Sequence, residues 1–405
     1  MIKTGIDIAE PARFAAMNHP EEFAARVYTD AEWQYIKRYK NYAEHMAAFF
    51  AAKEAFSKFL GTGIREFSFP DIEVCHEDSG KPYLRFFGER VLADLSISHT
   101  EVAAVAVVCG EEFALQQPLP KAEVYRELLP IRREDMHKGD CGRVFLLAGS
   151  GGMTGAAVLC GRAALRTGSG LVTVGTPSSE QPILAAQLIE AMTLPLDAEN
   201  RLLVPGAKDD ILKQMQKSDV TALGPGLGKA PGLAEIIKEM LSLRKPMVID
   251  ADGLNAISEH MDILQAVCAD TVLTPHPGEM ARLCGKSVTE IQENRKEIAE
   301  AFAKQYGVTL LLKGKDTLIA SPNLPTVVNP TGNDGMASGG MGDVLTGVIA
   351  SLMGQGLSGY RAAVLGAYLH GLAGDIARKA YGGFGMIAGD VAERIPAAIQ
   401  RLQNG

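Results

Sequence analysis

The stretch NDGMASGGMGDVLTGVIASLMGQG, Asn333–Gly356, crowds Gly335, Gly339, Gly340 and Gly342 together, sets one carboxylate, Asp343, behind them and runs on into an apolar, helix-like segment. Glycine permits positive φ and close approach of backbone to a ligand, and the first turn of a helix offers unpaired N–H groups at the positive end of its dipole. The stretch therefore predicts an anion cradle. A carboxylate beside a bound phosphate is repelled unless it takes a proton or holds a metal, so Asp343 reads as a working group rather than a helix-start Asp favoured by the dipole.

Around this stretch the runs RVFLLAG, GLVTVGTP, VTALGPG, PMVIDADGLN, TVLTPHPGE and VTLLLKGK are short, apolar and each followed by Gly, Pro or Asp, with helix-like segments between them. Such alternation predicts an α/β fold with a mostly parallel sheet covered by helices on both faces, its ligands gathered at the carboxyl ends of the strands. No Walker loop and no Rossmann glycine fingerprint is present. Upstream, MIKTGIDI, DIEVCHEDSGKPYLRFF and LSISHTEVAAVAVVCG alternate apolar and polar residues as strands of an antiparallel or mixed sheet do, with EDSGKP as a turn. Phe49, Ala52, Phe56 and Phe59 recur at helical spacing up to a glycine C-cap at Gly61, so this part reads as a small α+β unit ending near residue 112. Between the two textures, a segment with Pro118, Pro120 and Pro130 loses periodicity. We expect two domains, residues 1–115 and 123–405, joined by a connector at 116–122.

The 405 residues carry a net charge of -8, which argues against nucleic acid or an anionic membrane as the chain's general partner. The longest apolar runs are strand-sized, and the N-terminus has no signal pattern. The six cysteines, Cys75, Cys109, Cys141, Cys160, Cys268 and Cys284, form no C-x-x-C pair and read as buried thiols of a cytoplasmic protein.

Two constellations carry chemistry. Near the N-terminus Asp7 ends a strand, while Glu54 and Lys58 share a helix face. A surface Glu–Lys pair plus an isolated Asp is one reading; two oxygen ligands for Mg²⁺, with Lys58 neutralising a phosphate, is the other. TGIDIAE, RFAAMNHPEEFAARVYTDAE, FFAAKEAFSKFLGTGI, GKPYL and LSISHT resemble, in order and spacing, the holo-acyl-carrier-protein synthases, over roughly residues 1–112. The resemblance implies a phosphopantetheinyl-transferase fold that moves 4'-phosphopantetheine from coenzyme A to a serine of acyl carrier protein. It makes Asp7 and Glu54 metal ligands, Glu54 and Lys58 catalytic groups, and Lys58, Lys81 and His99 coenzyme A contacts. Arg13, with Lys37, Arg38 and Lys40, would dock the acidic carrier protein. It also implies a homotrimer.

In the second constellation, GGMGD at a helix start resembles the anion hole of ribokinase-like enzymes, whose Asp is the base for a hydroxyl attacking a phosphoryl group. HKGDCGRVFLLAGSGGMTGAAVLCGRAALRTGSGLVTV, ALGPGLGK, VIDADGLNAI, LTPHPGE, LLKGKDTLI and GNDGMASGGMGDVLTG together resemble the ADP-dependent NAD(P)H-hydrate dehydratases, over roughly residues 123–400. That family phosphorylates the hydroxyl of a hydrated nicotinamide cofactor from ADP and eliminates phosphate. The resemblance implies Asp343 as base, Gly340 and Gly342 in the anion hole, and Ala156, Gly226, His276 and Asp343 around the hydrated cofactor. Lys313, Gly314, Lys315, Asp316, Thr317 and Gly342 would hold the nucleotide. Asp250 and Asp252 read equally well as turn and cap carboxylates. An epimerase often precedes such dehydratases; here a transferase-like segment stands in its place, so one hydrate epimer is expected to be repaired. A small-molecule kinase in the second unit, or a non-catalytic binding module in the first, are the competing readings.

Overall fold

A computed structural model describes residues 2–61, 68–77, 79–86, 89–91, 93–111, 122–267 and 270–404. It divides into two compact units, Met1–Gln116 and Gln117–Gly405. Most of the expected connector, with Pro118 and Pro120, and Cys268 lie outside the described residues.

In the first unit the strand Ile2–Ala9 pairs antiparallel with Ala104–Glu111, which pairs in turn with Asp94–His99. A separate antiparallel sheet joins Ile72–His76, Pro82–Phe86 and Glu89–Arg90, the first two across the predicted EDSGKP turn. The helix Tyr42–Leu60 buries Phe49, Ala52, Phe56 and Phe59 and stops at Gly61 in the left-handed conformation, φ 82°. Along Ile2–Ala9 burial alternates: Gly5 and Ala9 face inward, Ile6 and Ile8 outward. Any β-carbon on Gly5 would overlap the carbonyl oxygen of Ala55, so this glycine is what lets strand and helix meet. Asp7, two residues on and on the same face, is thereby brought to the last turns of the helix.

The second unit is built on a nine-stranded sheet. Its order is Val327–Val328, Leu318–Ala320, Thr309–Leu312, Thr271–Leu273, Met247–Ile249, Val220–Leu223, Arg143–Leu147, Leu171–Pro177, Met192–Leu196. All neighbours from Thr309–Leu312 to Met192–Leu196 are parallel, and Leu318–Ala320 and Val327–Val328 form an antiparallel edge. The chain grows one way from Arg143–Leu147, then returns to grow the other way from Val220–Leu223. The reversal lies between these two strands, where a parallel sheet opens a crevice at its carboxyl edge. There Gly149 N–H donates to Pro225 O at 2.9 Å.

The helix Met341–Gly354 is apolar around its circumference and buried along almost its whole length. It packs between the helix Thr154–Thr167, the helix Gly359–Gly385 and the sheet, with its N-terminus at the carboxyl edge. The segment after the first unit, expected to lack periodic structure, holds a short helix, Ala122–Glu127. Its Tyr125 ring stacks on Tyr368 at 3.8 Å and Arg126 Nε donates to Leu402 O, contacts too distant in sequence to leave a local pattern. The described cysteines are free thiols, as expected; Cys141 and Cys160 are buried, whereas Cys75 and Cys284 are half-buried and Cys109 is exposed. No helix among the described residues is long and apolar enough to cross a membrane.

Candidate active sites

Neighbouring strands of the large sheet deliver three predicted residues and the undecided Asp250 in order: Gly226 follows Val220–Leu223, Asp250 follows Met247–Ile249, His276 follows Thr271–Leu273 and Lys313 follows Thr309–Leu312. Lys313 Nζ lies 2.7 Å from Asp250 Oδ1 and 3.9 Å from Glu279 Oε2. Thr346 Oγ1 donates to the other Asp250 oxygen at 2.7 Å, so this buried carboxylate is fully engaged. Burial works against the charge on Lys313, yet Asp250 and Glu279 hold its pKa above the ordinary value.

Gly340 caps the helix Met341–Gly354 with φ 89°, a conformation that L side chains avoid. Gly342 follows in the first turn, where a β-carbon would stand 3.2 Å from Lys313 Nζ and 3.6 Å from Asp250 Oδ2. Asp343 comes next. Burial, then the charge of Asp250, pushes its pKa up to about 6, while Lys313 pulls the other way. Gly342, Asp343 and Lys313 are thus together.

Gly314, Lys315, Asp316 and Thr317 form the turn of the hairpin between Thr309–Leu312 and Leu318–Ala320, closed by Thr317 Oγ1 donating to Gly314 O at 2.9 Å. Lys313 points into the site, whereas Gly314, Lys315 and Asp316 are exposed. Ala156 and Gly226 meet: a β-carbon on Gly226 would lie 3.0 Å from Ala156 Cβ. His276 is the N-cap of the helix Pro277–Cys284 and accepts at Nδ1 from Gly278 N–H, 2.9 Å, and Glu279 N–H, 3.3 Å. Glu279 returns the bond, accepting from His276 N–H at 2.8 Å.

In the first unit Lys58 Nζ lies 2.7 Å from Asp7 Oδ1 and also donates to Ile6 O at 3.1 Å, so its ion-pair partner is the strand Asp rather than Glu54 one turn back. Burial, followed by the charge of Asp7, raises the pKa of Glu54. Asp7, Glu54 and Lys58 are therefore together. Among the described residues no group of three or more His, Cys, Asp and Glu converges as a metal cluster. His99 Nδ1 stands 3.4 Å from Glu44 Oε2, with its ring 4.9 Å from that of His45. Lys81 pairs with Asp94 at 3.1 Å on the surface. Arg13 is exposed on the short helix Pro11–Ala15, and Lys37 lies over the Trp33 ring at 5.5 Å.

Sequence reasoning missed Glu279, Thr346 and His370, and left Asp250 undecided. Glu279 was signalled by its place three residues after an N-cap, as in a capping box. His370 had no such signal: it is buried beneath the site with Nε2 unpartnered, and burial lowers its pKa to about 4.

A mostly parallel sheet with a glycine-capped helix opening over an aspartate at its carboxyl edge defines a ribokinase-like fold. The NAD(P)H-hydrate dehydratase family model matches residues 144–397, and the 4'-phosphopantetheinyl transferase superfamily model matches residues 3–115. The chain belongs to the NAD(P)H-hydrate dehydratase family and carries a phosphopantetheinyl-transferase-type unit ahead of it. A bifunctional NAD(P)H-hydrate repair enzyme of Moorella thermoacetica is 46% identical over 280 residues, 69% of this chain and 53% of that one. An ADP-dependent (S)-NAD(P)H-hydrate dehydratase of Neisseria meningitidis is 38% identical, covering 70% of this chain and 92% of its own length. An ADP/ATP-dependent NAD(P)H-hydrate dehydratase of Bacillus subtilis, co-crystallised with ATP/Mg²⁺, superposes with TM-score 0.63 at 30% identity, over 71% of this chain and all of that one. The chain spans about half the length of the bifunctional relatives it matches.

Proposed function

We propose that the chain is bifunctional: the second unit restores hydrated NADH or NADPH at the expense of ADP, giving AMP and phosphate, and the first transfers 4'-phosphopantetheine from coenzyme A to acyl carrier protein. The observation that carries the first half is the placement of Asp343, a carboxyl with pKa about 6, in the opening turn of a glycine-capped helix beside Lys313. Near neutral pH it is an ionised base with little cost to accepting a proton.

Asp343 takes the proton of the substrate hydroxyl as its oxygen attacks the terminal phosphorus of ADP. The N–H groups of the turn at Gly340 and Gly342 and the ammonium of Lys313 balance charge on the transferring group. AMP leaves, and the new phosphate ester is a far better leaving group than hydroxide. Its departure and loss of the neighbouring ring proton restore the double bond. Lys313, Gly314, Lys315, Asp316 and Thr317 hold the nucleotide, while Ala156, Gly226 and His276 hold the reduced ring. A kinase of the same fold would stop at the phosphorylated product. Release of free phosphate in step with the return of reduced-nicotinamide absorbance supports the dehydratase; a stable phosphorylated product refutes it.

In the first unit, Asp7 and Glu54 offer hard oxygen donors whose mutual repulsion a dication would relieve, a donor set that fits Mg²⁺. Bound there, Mg²⁺ would supply charge neutralisation at a pyrophosphate. Lys58 contacts the phosphate, Lys81 and His99 bind coenzyme A, Glu54 receives the serine proton, and Arg13 docks the carrier. Ile6 and Ile8 are exposed on the outer sheet face, apolar surface that the expected homotrimer would cover. Magnesium-dependent labelling of acyl carrier protein tests this half; its absence leaves a binding module. Residues 1–115 and 123–405 are the domains we assign to the two activities.

A further inference from the structure

We propose that Glu279 is a positioning residue that acts through His276 and Lys313, tying the imidazole on the substrate side and the ammonium on the nucleotide side to one carboxylate. The inference rests on the dehydratase reading and adds a residue to it. His276 Nδ1 accepts from two main-chain N–H groups, at 2.9 and 3.3 Å. A nitrogen so engaged offers its lone pair, so the neutral ring carries its proton on Nε2. That nitrogen stands 3.4 Å from Glu279 Oε1, while Glu279 Oε2 accepts from His276 N–H at 2.8 Å and lies 3.9 Å from Lys313 Nζ. The carboxylate bridges His276 and Lys313, residues that follow two neighbouring strands and lie 37 positions apart in sequence.

Helix capping alone does not require this charge, because Gln closes a capping box as Glu does. A buried carboxylate is costly unless it is paired, and Glu279 is only 5% exposed. Its charge is used by Lys313 and by the imidazole. With Nδ1 occupied, His276 meets the substrate as an oriented ring and takes no proton from it, which leaves proton removal from the hydroxyl to Asp343.

The test compares Glu279→Gln and Glu279→Ala in the full chain. Gln keeps an acceptor for His276 N–H, so the melting temperature should stay near that of wild type. It turns an amide toward Lys313 and the imidazole, and kcat/KM for hydrated NADH should fall about 10–100-fold, the loss typical of a hydrogen bond to a charged group. The fall should appear in kcat and in KM for hydrated NADH, and ADP affinity by calorimetry should change with it, because Lys313 is one of the two groups that Glu279 holds. Wild-type kinetics in Glu279→Gln would overturn the proposal. Imidazole ¹⁵N–¹H correlation reads it without turnover: with Nδ1 held by main-chain N–H groups, the Nε2–H tautomer persists in Glu279→Ala, but the Nε2–H signal should shift and broaden once Glu279 Oε1 is gone. An unchanged Nε2–H signal overturns it, whether or not the wild type restores hydrated NADH; failure of that recovery alone counts against the dehydratase reading.

Discussion

Lys313 and Asp250, 63 positions apart, meet at 2.7 Å at the carboxyl ends of strands separated by Thr271–Leu273, and Asp250 is only 1% exposed. This pair is the charge balance of the site: burial raises the proton affinity of Asp343 and Glu279, the charge of Asp250 adds to it, and Lys313 pulls both back. Breaking a buried pair by neutralising one partner strands the other charge, at a cost of about 3–5 kcal/mol. Asp250→Asn should therefore lower stability by about 3 kcal/mol. Urea unfolding of the full chain checks this, and an unchanged midpoint would show the pair to be idle.

The pH dependence follows from Asp343. Its pKa of about 6 means that the base is lost as pH falls, so kcat/KM for cofactor recovery should drop with unit slope below about pH 6.

Stability moves the opposite way. The folded pKa is raised above the unfolded 3.8, so the folded state binds this proton more tightly, and its contribution is fully present below pH 3.8 and lost as pH rises through about 6. Asp343→Asn should then be inactive yet more stable than wild type at pH 7.5 by about 1–3 kcal/mol, with the gain disappearing near pH 4. Melting curves at both pH values decide it; equal gains at both would remove the ionised carboxylate as the cause.

Gly342 stands where any β-carbon presses on Lys313 Nζ at 3.2 Å. Gly342→Ala should leave the fold intact, since alanine suits a first helical turn, and lower kcat/KM at least tenfold by displacing the ammonium and narrowing the anion cradle. A steady-state comparison at saturating and limiting ADP measures it.

In the first unit Asp7→Asn removes a partly exposed pair with Lys58 whose worth is under about 1 kcal/mol, so melting should hardly change. Magnesium-dependent transfer to carrier protein should nevertheless fall at least about 100-fold, because a two-carboxylate site keeps only one charge. Recovery of hydrated NADH by the same variant should match wild type.

Much of this was legible in the sequence because it is local. Gly340 and Asp343 declare a helix start by residue type, and EDSGKP declares a turn. The periodicity of Phe49, Ala52, Phe56 and Phe59 declares a buried helix face. What was hidden depends on contacts between distant segments. Nothing near Asp250 announces Lys313 or Thr346, nothing near His99 announces Glu44, and His370 resembles any apolar-face histidine until the helix Gly359–Gly385 packs beneath the site. The need for glycine at position 5 appears only when Ala55 O is found against it.

The most direct measurement is cofactor recovery: purified full chain with hydrated NADH and ADP, following the return of reduced-nicotinamide absorbance, with Asp343→Asn alongside. Recovery should require nucleotide, release phosphate and vanish in the variant. Recovery that survives in Asp343→Asn, or none in wild-type protein that still transfers phosphopantetheine, would contradict the dehydratase reading.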